Sequence, residues 1–405
     1  MSYPKSLQYL AQRLNNYHRQ SLRLTPRNAA SGRAGSIISC VLPENSLVDL
    51  RTFSLHALAS ISASGTAAFP KHAECLIDRV SVDVNSVTVD AGCTYTNHLV
   101  KMLFDMTLDS SMDSIRNVGM LGGDAVAGTP PVNKPITICN WVGFLQAAPA
   151  VIDTSLTGPI TVNVHLAQDT VLVTGSATSA AFYLDNICFT CDVVSIDDGV
   201  YNAILNRRLE SGPIPITYPR WSSFMGSSST SAATNLTFGV SSQSVDLLLG
   251  TLVNGGYNTQ AANHYDDNTK SSRYFSRGAG DALQGSQFQI SGVTYPSYMP
   301  TPMQAFSQSI TALGINQSAL GGADKNFDSY SKYLSSYFAH AVRLNHPGEE
   351  VGWISGLDTR GANVSMSYGT TGQPIAAGGS VFPLVFVAST ASLLVGAYRQ
   401  LQVTL

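Results

Sequence analysis

Residues 181–224 read AFYLDNICFTCDVVSIDDGVYNAILNRRLESGPIPITYPRWSSF. The stretch changes character twice. Residues 181–194 alternate apolar and polar side chains, the period-two pattern of a half-buried antiparallel strand. Residues 195–212 then take helical spacing. Ser195 or Asp197 can cap the N-terminus, and Asp197 and Asp198 suit the positive end of the helix dipole. Arg207 and Arg208 sit near the C-terminus, and Gly212 followed by Pro213 stops the helix. Val200, Tyr201, Ile204, Leu205 and Leu209 are expected to form its buried face. Residues 214–224 return to strand. A strand, a punctuated helix and a second strand predict a boundary between two β domains, with 195–212 as the connector.

The flanks agree with this reading. Upstream, residues 36–42 form a strand stopped by Pro43, residues 47–58 alternate, and 76–89 alternate cleanly with Val80, Val82 and Val84 on one side. A helix is expected over 95–108, with Leu99, Met102, Leu103 and Met106 on one stripe. Further strands are expected at 136–145 and 160–166. Downstream, residues 235–252 hold one or two strands. Residues 254–302 are long, polar and rich in Gly, Ser, Asn and Tyr, which reads as a surface excursion with one short hairpin near 288–295. A second helix is expected over 327–342, striped by Tyr330, Tyr333, Leu334, Tyr337, Phe338 and Ala341. The chain should end in strands at 351–357, 363–368, 381–388 and 393–405. The expectation is an all-β chain with a few short helices: one β sandwich over 36–194 and another over 213–405.

The first 35 residues form a separate basic arm. They carry Lys5, Arg13, Arg19, Arg23, Arg27 and Arg33 and no acid, the first being Glu44. Leu7, Leu10, Leu14, Tyr17 and Ser21 recur at spacings of three and four, the stripe of an amphipathic helix. Thr25-Pro26 should end it, with 27–35 as a flexible lead-in. Those six basic residues are the candidates for touching an anionic partner, a lipid surface or nucleic acid. The competing reading is a solvated helix docked on its own subunit.

Composition narrows the classes. A chain of 405 residues and 43.0 kDa is comfortable as two domains. Charged residues make up 12%, against a usual ~25%, and apolar residues reach 44%. That excludes a disordered chain and a coiled coil. A net charge of −3 gives no global reason to expect nucleic-acid binding. A surface poor in charge and rich in Ser, Thr and Asn suits a protein packed against its own copies. Cys40, Cys75, Cys93, Cys139, Cys188 and Cys191 are too few for a disulfide framework and point to a reducing compartment. Residues 1–16 lack the apolar core of a secretory leader. The most apolar stretch, 382–398, is broken by Ser389, Thr390 and Ser392 and is shorter than the ~20 residues of a spanning helix. The expectation is a soluble protein that is neither secreted by the usual route nor integral to a membrane.

Catalytic patterns are missing. No nucleophile elbow, zinc-protease motif, phosphate loop or dinucleotide fingerprint occurs. Cys188 and Cys191 have metal-like spacing, but on a strand residues three apart point to opposite faces. Asp266-Asp267-Asn268 resembles a fragment of a calcium loop without its glycine and terminal glutamate. His56, His98 and His165 read as satisfied structural residues. Asn235, Asn316 and Asn363 begin Asn-x-Ser/Thr sequences that chance supplies in so Ser- and Thr-rich a chain. No metal, cofactor or catalytic residue is expected.

The order of elements resembles the double jelly-roll major capsid proteins, the lineage of tailless membrane-containing phages, virophages, polinton-like viruses and the adenovirus hexon. The resembling residues at the junction are Leu184-Asp185-Asn186-Ile187-Cys188-Phe189, then Asp192-Val193-Val194 and Tyr201. Leu42-Pro43-Glu44-Asn45-Ser46-Leu47-Val48-Asp49, Phe69-Pro70-Lys71 and Leu76-Ile77-Asp78-Arg79-Val80-Ser81-Val82 are similar to the first barrel of such proteins. The Tyr-rich segment before Pro347 and the closing Leu394-Val395-Gly396-Ala397-Tyr398-Arg399 are similar to the end of the second.

The resemblance implies two tandem eight-stranded jelly rolls. It implies a homotrimeric, pseudo-hexagonal capsomer that tiles an icosahedral virion shell beside neighbouring capsomers, penton proteins and minor capsid proteins. The basic arm would then lie at the base, against inner-membrane lipid or the packaged genome, and 254–302 would join the outer crown. Read without the resemblance, the residues also allow a tandem β-sandwich module that binds a glycan or receptor through the Tyr- and Asn-rich loop. An enzyme is disfavoured because no base–nucleophile pair is visible.

Overall fold

The structure is a computed structural model. It describes residues 18–65, 67–70, 72–107, 130, 132–174, 179–196, 198–229, 233–254, 265–266, 271–272, 283–314, 333, 338–345, 356–361, 365–372, 381–396 and 399–405. The first half contains β1 (His18–Leu24), β2 (Ile37–Val41), β3 (Leu47–Ala63), β4 (Ile77–Val84), β5 (Val87–Asp90), α1 (Thr96–Thr107), β6 (Lys134–Ile138), β7 (Ile160–Leu166) and β8 (Ala180–Ser195). These strands pair antiparallel in two sheets, β1-β8-β3-β6 and β2-β7-β4-β5. Helix α2 (Asp198–Glu210) leads to the second half. There follow β9 (Ile214–Met225), β10 (Ala233–Phe238), β11 (Val245–Asn254), β12 (Leu283–Ile290), β13 (Val293–Tyr295), α3 (Pro302–Ala312), β14 (His340–Arg343), β15 (Met366–Gly372) and β16 (Val381–Val395). Their sheets are β9-β16-β11-β14 and β10-β15-β12-β13. Strand for strand, the second order is the first shifted by eight. Each half is a jelly roll, two facing sheets with four strands on each path; Gly32–Arg33 and Val151–Asp153 add short pairings to the first path and Leu401–Thr404 to that of β16, and in each half a helix follows the fifth strand named.

Alternation drives the long seam of the first jelly roll. Along β3, Val48, Leu50, Phe53, Leu55, Ala57, Ala59 and Ile61 point inward and are buried. Phe182, Leu184, Phe189 and Cys191 of β8 join the same core. β3 and β8 pair from Leu47↔Val194 to Ala63↔Ala180, with register shifts that keep the apolar side inward. The second jelly roll closes around Leu236, Phe238, Leu248, Phe288, Ile290, Met366, Tyr368, Val385 and Val387.

Five expectations need correction. The helical stripe drawn through Ser21 stops before His18, because His18–Leu24 is β1 and pairs residue for residue with β8. Leu22 and Leu24 are its half-buried positions, so period two wins once β8 offers a partner. The helix expected to run to Val342 has given way to β14 by His340, where Leu247–Gly250 supplies the ladder. Helix α3 falls in a segment read as loop and unassigned chain. The apolar strands expected at 381–388 and 393–405 are one strand, β16, followed by Leu401–Thr404 paired back on it. Most of 254–282 and 315–337 lies outside the described residues, but β12 begins at Leu283, well inside the segment read as a surface excursion.

Candidate assembly surfaces

The two jelly rolls meet through a contact built like a protein interior. Tyr218 of β9 is 2% exposed, donates its hydroxyl to the Val89 carbonyl (2.8 Å), and packs edge-on against Phe144 with ring centroids 5.1 Å apart. Ala148 and Thr217 exchange backbone hydrogen bonds of 2.7 and 3.0 Å across the junction. Asp90, also buried, accepts the backbone N–H groups of Gly92 and Phe144, each at 2.9 Å. Burial pushes its carboxyl above the usual range, against the pull of those two donors and of Arg220.

Above this belt, Cys93 and the Leu99, Met102 and Met106 stripe of α1 join one apolar cluster with Leu247, Leu249, Leu384 and Phe386 of the second jelly roll. Trp221 and Met225 pack on its margin. So α1 packs toward the outer face of the sheet β9-β16-β11-β14, in a cluster to which α3 also contributes Ala312. The contact is heterologous: a helix of one jelly roll on a sheet of the other.

The equivalent sheet of the first jelly roll, β1-β8-β3-β6, has a polar outer face. Arg19 donates to Asp192 (2.6 Å) and lies 3.4 Å from Asp49. His56 is held between the hydroxyls of Thr137 (3.0 Å) and Thr190 (2.9 Å). Partial burial, helped by Arg23, holds its imidazole below the usual value. Arg51 is exposed, and Ser54 and Leu58 are half-buried.

Helix α3 begins with a capping box: the Thr301 hydroxyl accepts from Gln304 N–H and the Gln304 side chain accepts from Thr301 N–H. It buries Ala305, Ser309 and Ala312 against its own jelly roll. Ser309 Oγ donates to the Ala339 carbonyl (3.0 Å) and accepts from Ala341 N–H (2.9 Å). His340 of β14, fully buried, lies 3.0 Å from both Ser286 Oγ and Gln308 Oε1. Burial lowers its pKa to about 3. This Ser–His–Gln relay resembles a catalytic constellation, but Ser286 is 1% exposed and no carboxylate among the described residues pairs with the imidazole, so it fixes α3. Between α3 and β14 lies a cavity of about 420 Å³, lined by Ser307, Gln308, Thr311, Val342, Arg343 and Asn345 among others.

Of the six basic residues singled out in the sequence, Lys5 and Arg13 lie outside the described residues. Arg19 and Arg23 are on β1, Arg27 precedes β2, and Arg33 pairs with Tyr183 of β8. Arg23, Arg27 and Arg33 are exposed, and Arg19 is held in its ion pairs. The structure therefore places four of the six on the body of the first jelly roll. The connector helix also departs from expectation. Ile204 is 65% exposed, and Tyr201, Leu205 and Leu209 are only half-buried, so none of these four expected face residues of α2 is fully buried. Its anchor is polar, the Tyr201 hydroxyl donating to Asp153 (2.7 Å). Cys191 lies in the inter-sheet core, and Cys188 sits opposite His56 outside it, so the two thiols face apart. Cys40 and Cys191 are buried free thiols, pushed up to about 12 and about 11.

Solved structures share this architecture over almost the whole chain. One is the VP54 protein of PBCV-1, fitted into a reconstruction of the virophage Sputnik: TM-score 0.64 at 12% identity, covering 97% of this chain and 98% of that one. The chain has the double jelly-roll fold of viral major capsid proteins. The Faustovirus major capsid protein matches with a TM-score of 0.64 at 10% identity, over 95% of this chain and 92% of that one. The mavirus major capsid protein gives 0.52 at 13% identity, over 95% and 90%. No family model and no curated protein sequence matches the chain. The double jelly roll is thus visible in the arrangement of strands after sequence identity has fallen to about a tenth.

Proposed function

We propose that this chain is the major capsid protein of an icosahedral virus, and that three copies form a pseudo-hexagonal capsomer which tiles the shell. The observation that carries the reading is the fused pair of jelly rolls in one repeating strand order, shared over more than nine-tenths of the chain with the capsid proteins of PBCV-1 and Faustovirus. The junction adds support. Two jelly rolls joined by a buried apolar contact behave as one rigid block, and three such blocks present six lobes. A surface with few charges fits lateral packing between capsomers.

Penton proteins, minor capsid proteins and neighbouring capsomers are the remaining proposed partners. The basic segment is proposed to meet inner-membrane lipid or genome through Lys5, Arg13, Arg23, Arg27 and Arg33; Arg19 is already engaged with Asp192 and Asp49. A structural role leaves nothing for an active site to do, and the buried Ser286 supports that. The test is negative-stain imaging of purified protein. Six-lobed particles of uniform size are expected; a field of single elongated subunits would overturn the reading.

A further inference from the structure

We propose that the cavity between α3 and β14 is a binding site for the C-terminal residue of a peptide chain, with the carboxylate held by Arg343 and the last N–H by Asn345. The cavity measures about 420 Å³, inside the range of about 300–1,000 Å³ usual for ligand sites. Two polar side chains that line it are already engaged. Gln308 Oε1 lies 3.0 Å from His340 Nε2, and Gln308 Nε2 donates to the Tyr298 hydroxyl at 2.9 Å. Thr311 Oγ1 donates to the Ser307 carbonyl at 3.1 Å, and Thr311 has further contacts of its own. These two hold α3 in place and are not offered to a ligand. Two other lining residues differ. Arg343 is exposed and donates Nε to the Ala312 carbonyl at 2.8 Å, but its terminal N–H groups meet no acceptor among the described residues. Asn345 Oδ1 is buried and accepts from no donor among the described residues. An orphaned buried acceptor is uncommon in a folded protein.

The chemistry of these two groups selects the ligand. The carbonyl that holds Arg343 belongs to the last residue of α3, one of the acceptors a helix end leaves unsatisfied. That bond sets the plane of the guanidinium and leaves its two terminal nitrogens as a fork, the geometry that meets a carboxylate through two parallel hydrogen bonds. No Asp or Glu lines the cavity among the described residues, so the charge of the arginine has no anion there. Asn345 follows two positions after Arg343, so their Cα atoms lie within about 7 Å of each other. A terminal amino-acid residue carries its carboxylate and its N–H on one Cα and reaches both. An inorganic anion would meet the fork alone, and a neutral amide would meet Asn345 alone. Pro296, Ala312 and Val342 give the cavity an apolar wall, which suits a small apolar last side chain. Capture of a chain end by its carboxylate is a recurrent mode of peptide recognition. The site lies within the second jelly roll and stands whether or not the chain builds shells.

The test is isothermal titration calorimetry of the full-length protein with acetyl-Gly-Val as the probe, beside its C-terminal amide and acetate. The acid is expected to bind once per chain with a Kd on the order of 1 mM. The amide lacks the charge and acetate lacks the N–H, so each should bind at least tenfold more weakly. Arg343→Lys keeps a charge without the fork and should weaken the acid about tenfold. Asn345→Ala removes the acceptor and should weaken it severalfold. No saturable heat from the acid at ten times the expected Kd, equal affinity for acid and amide, or undiminished binding by Arg343→Lys overturns the proposal. Acetate binding as tightly as the acid would assign the cavity to a bare anion and overturn the peptide-end reading. Should a variant fail to fold, the comparison of acid, amide and acetate on the wild-type chain decides alone.

Discussion

Replacing Tyr218 with alanine tests whether the two jelly rolls are one folding unit. The side chain is 2% exposed, its ring meets Phe144 across the junction, and its hydroxyl satisfies the Val89 carbonyl at 2.8 Å. Truncating a buried aromatic costs about 3–5 kcal/mol, and the orphaned carbonyl adds to the upper half of that range, so about 4 kcal/mol is expected. The unit that unfolds sets the thermal shift. At about 2.1 cal/mol/K per residue, unfolding of the whole chain carries about 0.85 kcal/mol/K, and the midpoint falls by about 5 °C. If each half melted alone, the entropy would halve and the affected half would drop by about 10 °C. Differential scanning calorimetry at fixed protein concentration separates the cases. One transition displaced by about 5 °C is expected. Two resolved transitions, one of them unmoved by the substitution, would refute the claim of a core-like junction.

Deleting residues 1–17 should leave the melting temperature of the protein unchanged; extending the deletion through Gly35 removes β1, strips β8 of its partner along Leu24–His18, and should lower it by several degrees. Leu205→Asp, at a half-buried position of the connector helix, should move the midpoint by about 1 °C or less, since surface changes stay within about 0.5 kcal/mol; a collapse of the fold would restore the buried face expected from the sequence. Lys101 and Asp105 form a buried ion pair at 2.6 Å on α1, with the buried His72 ring 3.8 Å from the same carboxylate, so Lys101→Met should cost about 3–5 kcal/mol in urea unfolding, and a neutral result would show that His72 compensates the carboxylate. His340 stays neutral in the fold down to about pH 3, whereas an unfolded imidazole takes up its proton near ~6.5. The unfolded state therefore binds more protons between those values, and stability falls on acidification through that window. His340→Gln should flatten this acid limb while costing stability at pH 7; an unchanged limb would assign it to carboxylates.

Much of the architecture can be read from residue pattern, because a half-buried strand writes its burial into alternation. Val80, Val82 and Val84 predict β4, and 181–194 predicts β8 nearly to the residue. The failures have specific causes. β1 carries Arg19, Ser21 and Arg23 outward and only Leu22 and Leu24 inward, too few apolar positions to outweigh the helical stripe that begins at Leu7. β14 is four residues long, and its Ala-rich pattern continues an aromatic stripe at helical spacing. Helix α3 left a signal that could have been read: Thr301-Pro302-Met303-Gln304 is a capping box with proline at the first helical position. The assembly surfaces were the least legible part. Whether Leu249, Leu384 and Phe386 face water or a packed neighbour depends on the pairing of two distant halves, and no local pattern encodes that. The basic residues were visible, but their attachment to a sheet was not, since Arg19 meets Asp192 across 173 positions of sequence.

The most direct test of the central claim is the mass of the purified chain in solution, by light scattering across a dilution series. The account predicts a stable species of three times 43.0 kDa. A single 43.0 kDa species at all concentrations would contradict it.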